Sequence, residues 1–308
     1  MEKSQVDEVL AVLGTGAKPW NYYQDQFIMH HLARLVKEEP MTVKRFKQSR
    51  YSGWLRKQIL QEFLAKQLQG LITTESILMS PQVPQLFLTY SLGKWGGMGV
   101  LNRSHFQTTR VGFNLVLQVN LCKGLVNTFK RYVSKKAEMP KFWGHPVSDV
   151  HATLGWVRLD FDLGTDSILI EEIQSDLVRQ LPKMMQRMKP RNPKGDETVS
   201  NGIRKFLRRE FEPYNRMWSE ALLACALQFI DQELGFRQVY MHTWESGCVL
   251  KGISQRHGPP RSLYTQLPKK FGFVKQDKPP VHLYNHHQLL NRREELQISE
   301  AKWWKLEW

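Results

Sequence analysis

The run at residues 167–176, Ser-Ile-Leu-Ile-Glu-Glu-Ile-Gln-Ser-Asp, restricts the fold of this chain more than any other stretch. It begins as an apolar strand and ends in acids and amides. Side chains alternate across a strand, so Glu172, Gln174 and Asp176 continue the face of Ile168 and Ile170, while Glu171 shares the opposite face with Leu169 and Ile173. A strand that turns polar at its carboxyl end is how many α/β proteins present a site. The plainer alternative is a strand end that meets solvent, with Asp176 capping the next helix.

The flanking sequence supplies the partners of this strand. Residues 151–163 alternate, with Trp156, Arg158, Asp160 and Asp162 on one face and Val157, Leu159, Phe161 and Leu163 on the other. Gly164-Thr165-Asp166 then turns the chain into a hairpin. Arg158 is expected beside Glu172, where it either neutralises that carboxylate or binds a substrate anion. Residues 85–92 and 112–121 read as further strands. The second of these carries Asn114, Gln118 and Asn120 on its polar face, facing a ligand or water. The glycine-rich stretch 93–99 reads as a hairpin turn or a close approach to a ligand, and the polar residues 107–110 as the rim of a cleft.

Helical periodicity marks residues 24–37, with a packed His31, the stretch around 55–64, the Met-bearing stripe of 177–188, and 218–234, which Gly235 ends. The polar segments 189–202 and 244–262 read as loops, the first as the best candidate for a mobile segment. Phe236 to Thr243, Phe271 to Val274 and the Trp-rich tail read as strands. The expected class is α+β: a mixed, largely antiparallel central sheet flanked by helices. Residues 1–85 are expected to form a helical N-terminal region, and residues 86–308 an α+β domain carrying the site.

Composition narrows the partners. A 41% hydrophobic content with 10 Trp and 15 Phe supports a packed core. The net charge of +15 favours nucleic acid or another polyanion. Phe46, Tyr51 and Trp54 interleave with Lys44, Arg45, Lys47, Arg50, Arg56 and Lys57, a pattern that suits either a nucleic-acid surface or a helix with a solvated basic face. The three cysteines are far apart and form no C-x-x-C pair, which argues against a disulfide framework and a cysteine zinc site and for a reducing, cytoplasmic setting. The first residues lack a signal-peptide pattern, and no stretch approaches the ~18 apolar residues of a membrane span, so no membrane insertion is expected.

Two resemblances bear on chemistry. Residues 170–176, Trp218-Ser219-Glu220-Ala221-Leu222, Val239-Tyr240-Met241-His242-Thr243 and Leu263-Tyr264 together resemble an uncharacterised domain of bacterial proteins and large phage-encoded polyvalent proteins, over about the last half of the chain. The order hairpin, acidic strand, helix, strand, then Leu-Tyr-x-x-Leu-Pro-Lys-Lys-Phe-Gly-Phe looks like the second half of the GCN5-related acetyltransferases. That resemblance implies acyl-CoA as cofactor, Tyr264 as the acid for the leaving thiolate and Glu172 as general base on an amine. The family's Gln/Arg-x-x-Gly-x-Gly/Ala turn for the CoA pyrophosphate is absent, because Leu177-Val178-Arg179-Gln180-Leu181 contains no glycine.

Three functions are therefore expected as alternatives. The first is a transferase of acetyltransferase-like architecture acting on an amine or a nucleic-acid-linked substrate. Its catalytic candidates are Glu172, Tyr264 and Asp176, and its substrate-binding candidates are Gln174, Arg158, Glu171, Trp218, His242 and Thr243. The second is a nuclease or nucleic-acid binder in which Asp160, Asp162, Glu172 and Asp176 gather a divalent metal. The third is a non-catalytic interaction protein in which Arg158 or Arg179 neutralises the acids. His282 and His286, four apart, reach one metal only on a helix, which their Pro-rich setting disfavours.

Overall fold

A computed structural model describes residues 1–67, 70–80, 85–97, 107–142, 144–187, 193–254, 256, 258–284 and 302–307. Ten strands are present among them: β1 (Lys18–Tyr22), β2 (Met41–Thr42), β3 (Leu71–Ile72), β4 (Leu86–Gly97), β5 (Gly112–Leu121), β6 (Thr153–Phe161), β7 (Ser167–Gln174), β8 (Gln238–His242), β9 (Val274–Gln276) and β10 (Trp303–Glu307). Eight form the central sheet in the order β1-β4-β5-β6-β7-β8-β10-β9, and β2 pairs with β3 separately. The class is the expected one, a largely antiparallel sheet with helices. Among the described residues no helix is long and apolar enough to cross a membrane.

The chain divides into two compact units. The first comprises residues 1–22, 85–160 and 170–226. Here β4 pairs antiparallel with β1 on one side and with β5 on the other, and β5 with β6 through a bulge between Val119 and Asn120. β6 and β7 are neighbours joined by a five-residue turn, in which Thr165 N donates to Asp162 O. So short a connection permits only an antiparallel pair. The inner face is fully buried at Leu115, Leu117, Leu159 and Ile173. Helix Glu212–Phe229 covers it, with Leu222 against Gly155 of β6 and every residue from Ala221 to Ala226 buried. The Tyr22 hydroxyl donates to the buried Glu220 carboxylate at 2.6 Å, tying that helix to β1.

Residues 193–202 correct the expectation of a loop over 189–202. They belong to helix Pro193–Arg209. Proline at the first helical position costs no backbone hydrogen bond. Gly202 marks a close helix crossing: a Cβ there would lie 2.1 Å from Tyr132 O. Phe206 packs edge-on against Phe129 of helix Lys123–Tyr132 at 5.1 Å, and Glu210 accepts from the Tyr132 hydroxyl. Composition suggested a loop, and tertiary packing made a helix.

The second unit comprises residues 23–84, 161–169 and 227–308. β10 lies between β8 and β9, antiparallel to both. Leu169, Tyr240, Leu250, Leu283 and Trp303 form one buried cluster. Helix Gln26–Leu35 buries His31 as expected, its ring edge-on to Tyr51 and Trp54. Burial pushes the His31 imidazole down to about 3, with Arg50 and Arg34 adding to the shift, so it is held neutral. Phe46, Tyr51 and Trp54 are all buried, so the aromatic side chains that suggested a nucleic-acid stacking surface belong to the core. Gly235 ends its helix in the left-handed conformation, as expected. The polar segment after β8 opens as helix Trp244–Lys251 rather than as a loop, because the Thr243 hydroxyl accepts from Ser246 N as its cap.

Candidate functional site

The polar end of β7 lies in the first unit and opens into a small cleft of about 80 Å³. Glu172 and Gln174 come from β7, and Trp156 and Arg158 from the neighbouring strand β6. Trp95 of β4, Gln107, and the loop residues Gly144, His145 and Pro146 complete the wall. The period-2 pattern of β6 and β7 thus delivers its face as expected. The polar segment 107–110 also rims the cleft, through Gln107.

Arg158 is the floor of the site. Its side chain is 1% exposed, and its Nε lies 2.8 Å from Glu172 Oε2. Its Nη2 donates to Gln107 O at 3.0 Å. A guanidinium buried this deeply requires a counter-charge, and Glu172 supplies it. Protonating Glu172 would strip Arg158 of that charge, so the geometry argues against Glu172 as a proton acceptor. Of the two roles open to Arg158 in the sequence, neutralising Glu172 is the one observed.

Glu171 faces the other way and is completely buried. Its Oε1 accepts from both the backbone N and the hydroxyl of Thr109, each at 2.8 Å. That makes it an anchor for segment 107–110 and not a residue of the cleft wall. Arg110 of the same segment grips Asp160 with Nε and Nη2, at 2.8–3.0 Å. The Asp160 carboxylate also accepts from the Met1 amino group.

Asp176 is buried at the start of helix Asp176–Arg187. It does not cap that helix. Ser175 does, its Oγ accepting from Val178 N at 3.1 Å. This releases the Asp176 carboxylate for other partners. Its Oδ1 accepts from Gln174 Nε2 at 3.1 Å and from Arg179 Nη2 at 2.6 Å. Its Oδ2 is in contact with His145 Nδ1. Burial pushes this carboxyl up, but His145, Gln174 and Arg179 together outweigh burial and hold it below the usual carboxylate range.

His145 is the cleft residue beside Asp176 that sequence reasoning did not single out. Its side chain is 41% exposed and stands edge-on to Trp156 at 5.5 Å. The strand β5 positions its loop. Gln118 Nε2 donates to Pro146 O at 3.2 Å, and Gln118 Oε1 accepts from Ser91. Asn120 bonds Ser91 and Thr153, and the Thr153 hydroxyl accepts from Ser148 N. Gln118 and Asn120 on the polar face of β5 are therefore buried and bonded within the chain. They fix the loop that carries His145.

The four acids expected to gather a metal are each engaged elsewhere: Asp160 by Arg110, Glu172 by Arg158, Asp176 by Arg179 and His145, while Asp162 accepts from Gly164 N in the turn. Among the described residues no group of three or more His, Cys, Asp or Glu is arranged to hold a metal ion. His286 lies outside the described residues.

The remaining site candidates are placed as follows. Trp218 is half-buried on helix Glu212–Phe229 of the first unit. His242, Thr243 and Tyr264 belong to the second unit. His242 is fully buried against Trp303, with ring centroids 4.9 Å apart. Thr243 is the helix cap described above. Tyr264 is buried in the turn Arg261–Tyr264, and its carbonyl accepts from Trp304 Nε1 at 2.8 Å.

No protein-family model matches the chain, and neither does any curated protein or solved structure.

Proposed function

We propose that this protein is a transferase of acetyltransferase-like architecture that moves an acyl group from a thioester to a primary amine, with the amine seated in the cleft of the first unit. The order of elements carries the reading. A hairpin ends in the acidic strand β7, helices lead to β8, and the Tyr264-bearing turn runs through Phe271-Gly272-Phe273 into β9. The cleft suits a small acceptor group. Two indoles, of Trp95 and Trp156, flank a polar floor, and about 80 Å³ accommodates the end of an aliphatic amine rather than a whole nucleotide. The net charge of +15 favours acceptors carried on a polyanion, including nucleic acid.

Native mass spectrometry of the purified chain with acetyl-CoA and longer acyl-CoAs tests the reading. A bound acyl-CoA adduct is the expected result. A spectrum showing no adduct with any member of the series would overturn it.

One observation favours a second reading, that of a non-catalytic interaction protein: the acids of the β7 end already carry cationic partners. Under that reading Glu172→Ala and Asp176→Ala lower stability and abolish no activity.

A further inference from the structure

We infer that His145 and Asp176 form the proton-accepting pair of the cleft, with His145 Nε2 as the general base and Asp176 as its positioning residue. This rests on the transferase reading and replaces Glu172 in the role that the sequence assigned to it. The geometry is that of a buried carboxylate behind a half-open imidazole. Asp176 is 1% exposed, its Oδ2 contacts His145 Nδ1, and His145 lines the cleft with 41% of its side chain open. A bare nitrogen lone pair against a carboxylate oxygen would repel it, so Nδ1 carries the proton in the neutral ring. That leaves the Nε2 lone pair available: the polar contacts of the ring, with Asp176 Oδ2 and with Gln174 Nε2 at 3.4 Å, are both made at Nδ1. Gln174 and Arg179 fix the other carboxylate oxygen, so the carboxylate cannot easily rotate away from the imidazole. The ladder from Ser91 through Gln118 to Pro146 fixes the loop from the other side.

The charged groups around the ring are Asp176 and Arg179 at the helix start, Glu172 of β7 and Arg158 of β6. Glu172 and Arg158 satisfy each other. Asp176 thus faces the imidazole as the nearest negative charge, an arrangement that stabilises the imidazolium as it forms.

In the step assigned to this pair, the acceptor amine attacks the thioester carbonyl. The N–C bond forms and the C–S bond breaks. The amine proton passes to His145 Nε2, and the thiolate leaves and takes a proton from water. His145 then returns its proton to solvent, so the products are an amide and a free thiol.

The test combines kinetics with proton location. His145→Gln is expected to lower kcat for amine acylation by about a hundredfold or more, the range of a positioned base, with acyl-CoA affinity unchanged. Long-range proton–nitrogen NMR of the wild-type ring at pH 8, assigned by its loss in His145→Gln, is expected to show the proton on Nδ1. His145→Gln turning over at the wild-type rate, or a ring protonated on Nε2 alone, would overturn the assignment while leaving the transferase reading intact. A wild-type protein that neither binds nor cleaves an acyl thioester would overturn both.

Discussion

Arg158 and Glu172 are joined across adjacent strands, with Nε 2.8 Å from Oε2 and the guanidinium 1% exposed. They sit on the neighbouring strands β6 and β7, and Trp156 Nε1 of β6 lies 3.5 Å from the same carboxylate oxygen. The pair makes the floor of the cleft rigid. It also engages the Glu172 carboxylate as the counter-charge of Arg158.

Truncating one member strands the other in a buried position. Arg158→Met alone is expected to cost about 3–5 kcal/mol. Glu172→Met should cost a similar amount, and the double variant less than the sum of the two. Urea unfolding of the four proteins of the cycle measures this coupling. Additive single effects would show that the pair is not energetically linked.

Asp176 links stability to acid. Its carboxyl is held below the usual carboxylate range in the folded chain. The folded pKa is therefore the lower one, so the stability it contributes is complete above the unfolded value of about 3.9. It fades as pH falls through the folded value. The melting-temperature gap between wild type and Asp176→Asn is expected to narrow as pH falls below about 4. A gap that widens in acid contradicts this sign.

Thr109 holds Glu171 with two hydrogen bonds, from its backbone N and its hydroxyl. Thr109→Val keeps the shape and the backbone bond but removes the hydroxyl donor to a fully buried carboxylate. The expected cost is about 1.5–3 kcal/mol, measured by chemical denaturation. Because segment 107–110 rims the cleft, amide hydrogen exchange at Gln107 should also accelerate. Unchanged exchange there would separate Glu171 from the rim.

Gly155 allows β6 to approach β7 and the covering helix closely. A Cβ at this position would lie 2.6 Å from Gln174 O and 2.7 Å from Leu222 Cδ2. Gly155→Ala is expected to destabilise by about 1–3 kcal/mol through overpacking. It should also displace Gln174, and with it one wall of the cleft. Unfolding curves and the chemical shifts of the Gln174 side chain report the two effects separately.

Much of this arrangement was legible in residue periodicity. The alternation in 151–163 and 167–174 put Arg158 beside Glu172, and the helical stripe around Trp218 identified the covering helix. The sheet class followed from the same patterns. Two kinds of feature were not legible. Helix Pro193–Arg209 has the composition of a loop, and its packing through Gly202 and Phe206 is tertiary information. His145 lies in a loop 31 residues before Asp176, and no periodicity joins a loop residue to a helix start. The available signal is in the buried amides of β5: Asn114, Gln118 and Asn120 interrupt an otherwise apolar strand, and Gln118 is the residue that holds the His145 loop. The cap of the helix that begins at Asp176 was not legible for a local reason. Either Ser175 or Asp176 can cap a helix, and which one does so decides whether the carboxylate is available to His145.

The most direct measurement of the central claim is the release of free thiol from an acyl-CoA by the wild-type protein, with and without a small primary amine. The account predicts amine-dependent release, with one amide formed per thiol. Release that is indifferent to the amine, or absent with every acyl-CoA tried, would contradict it.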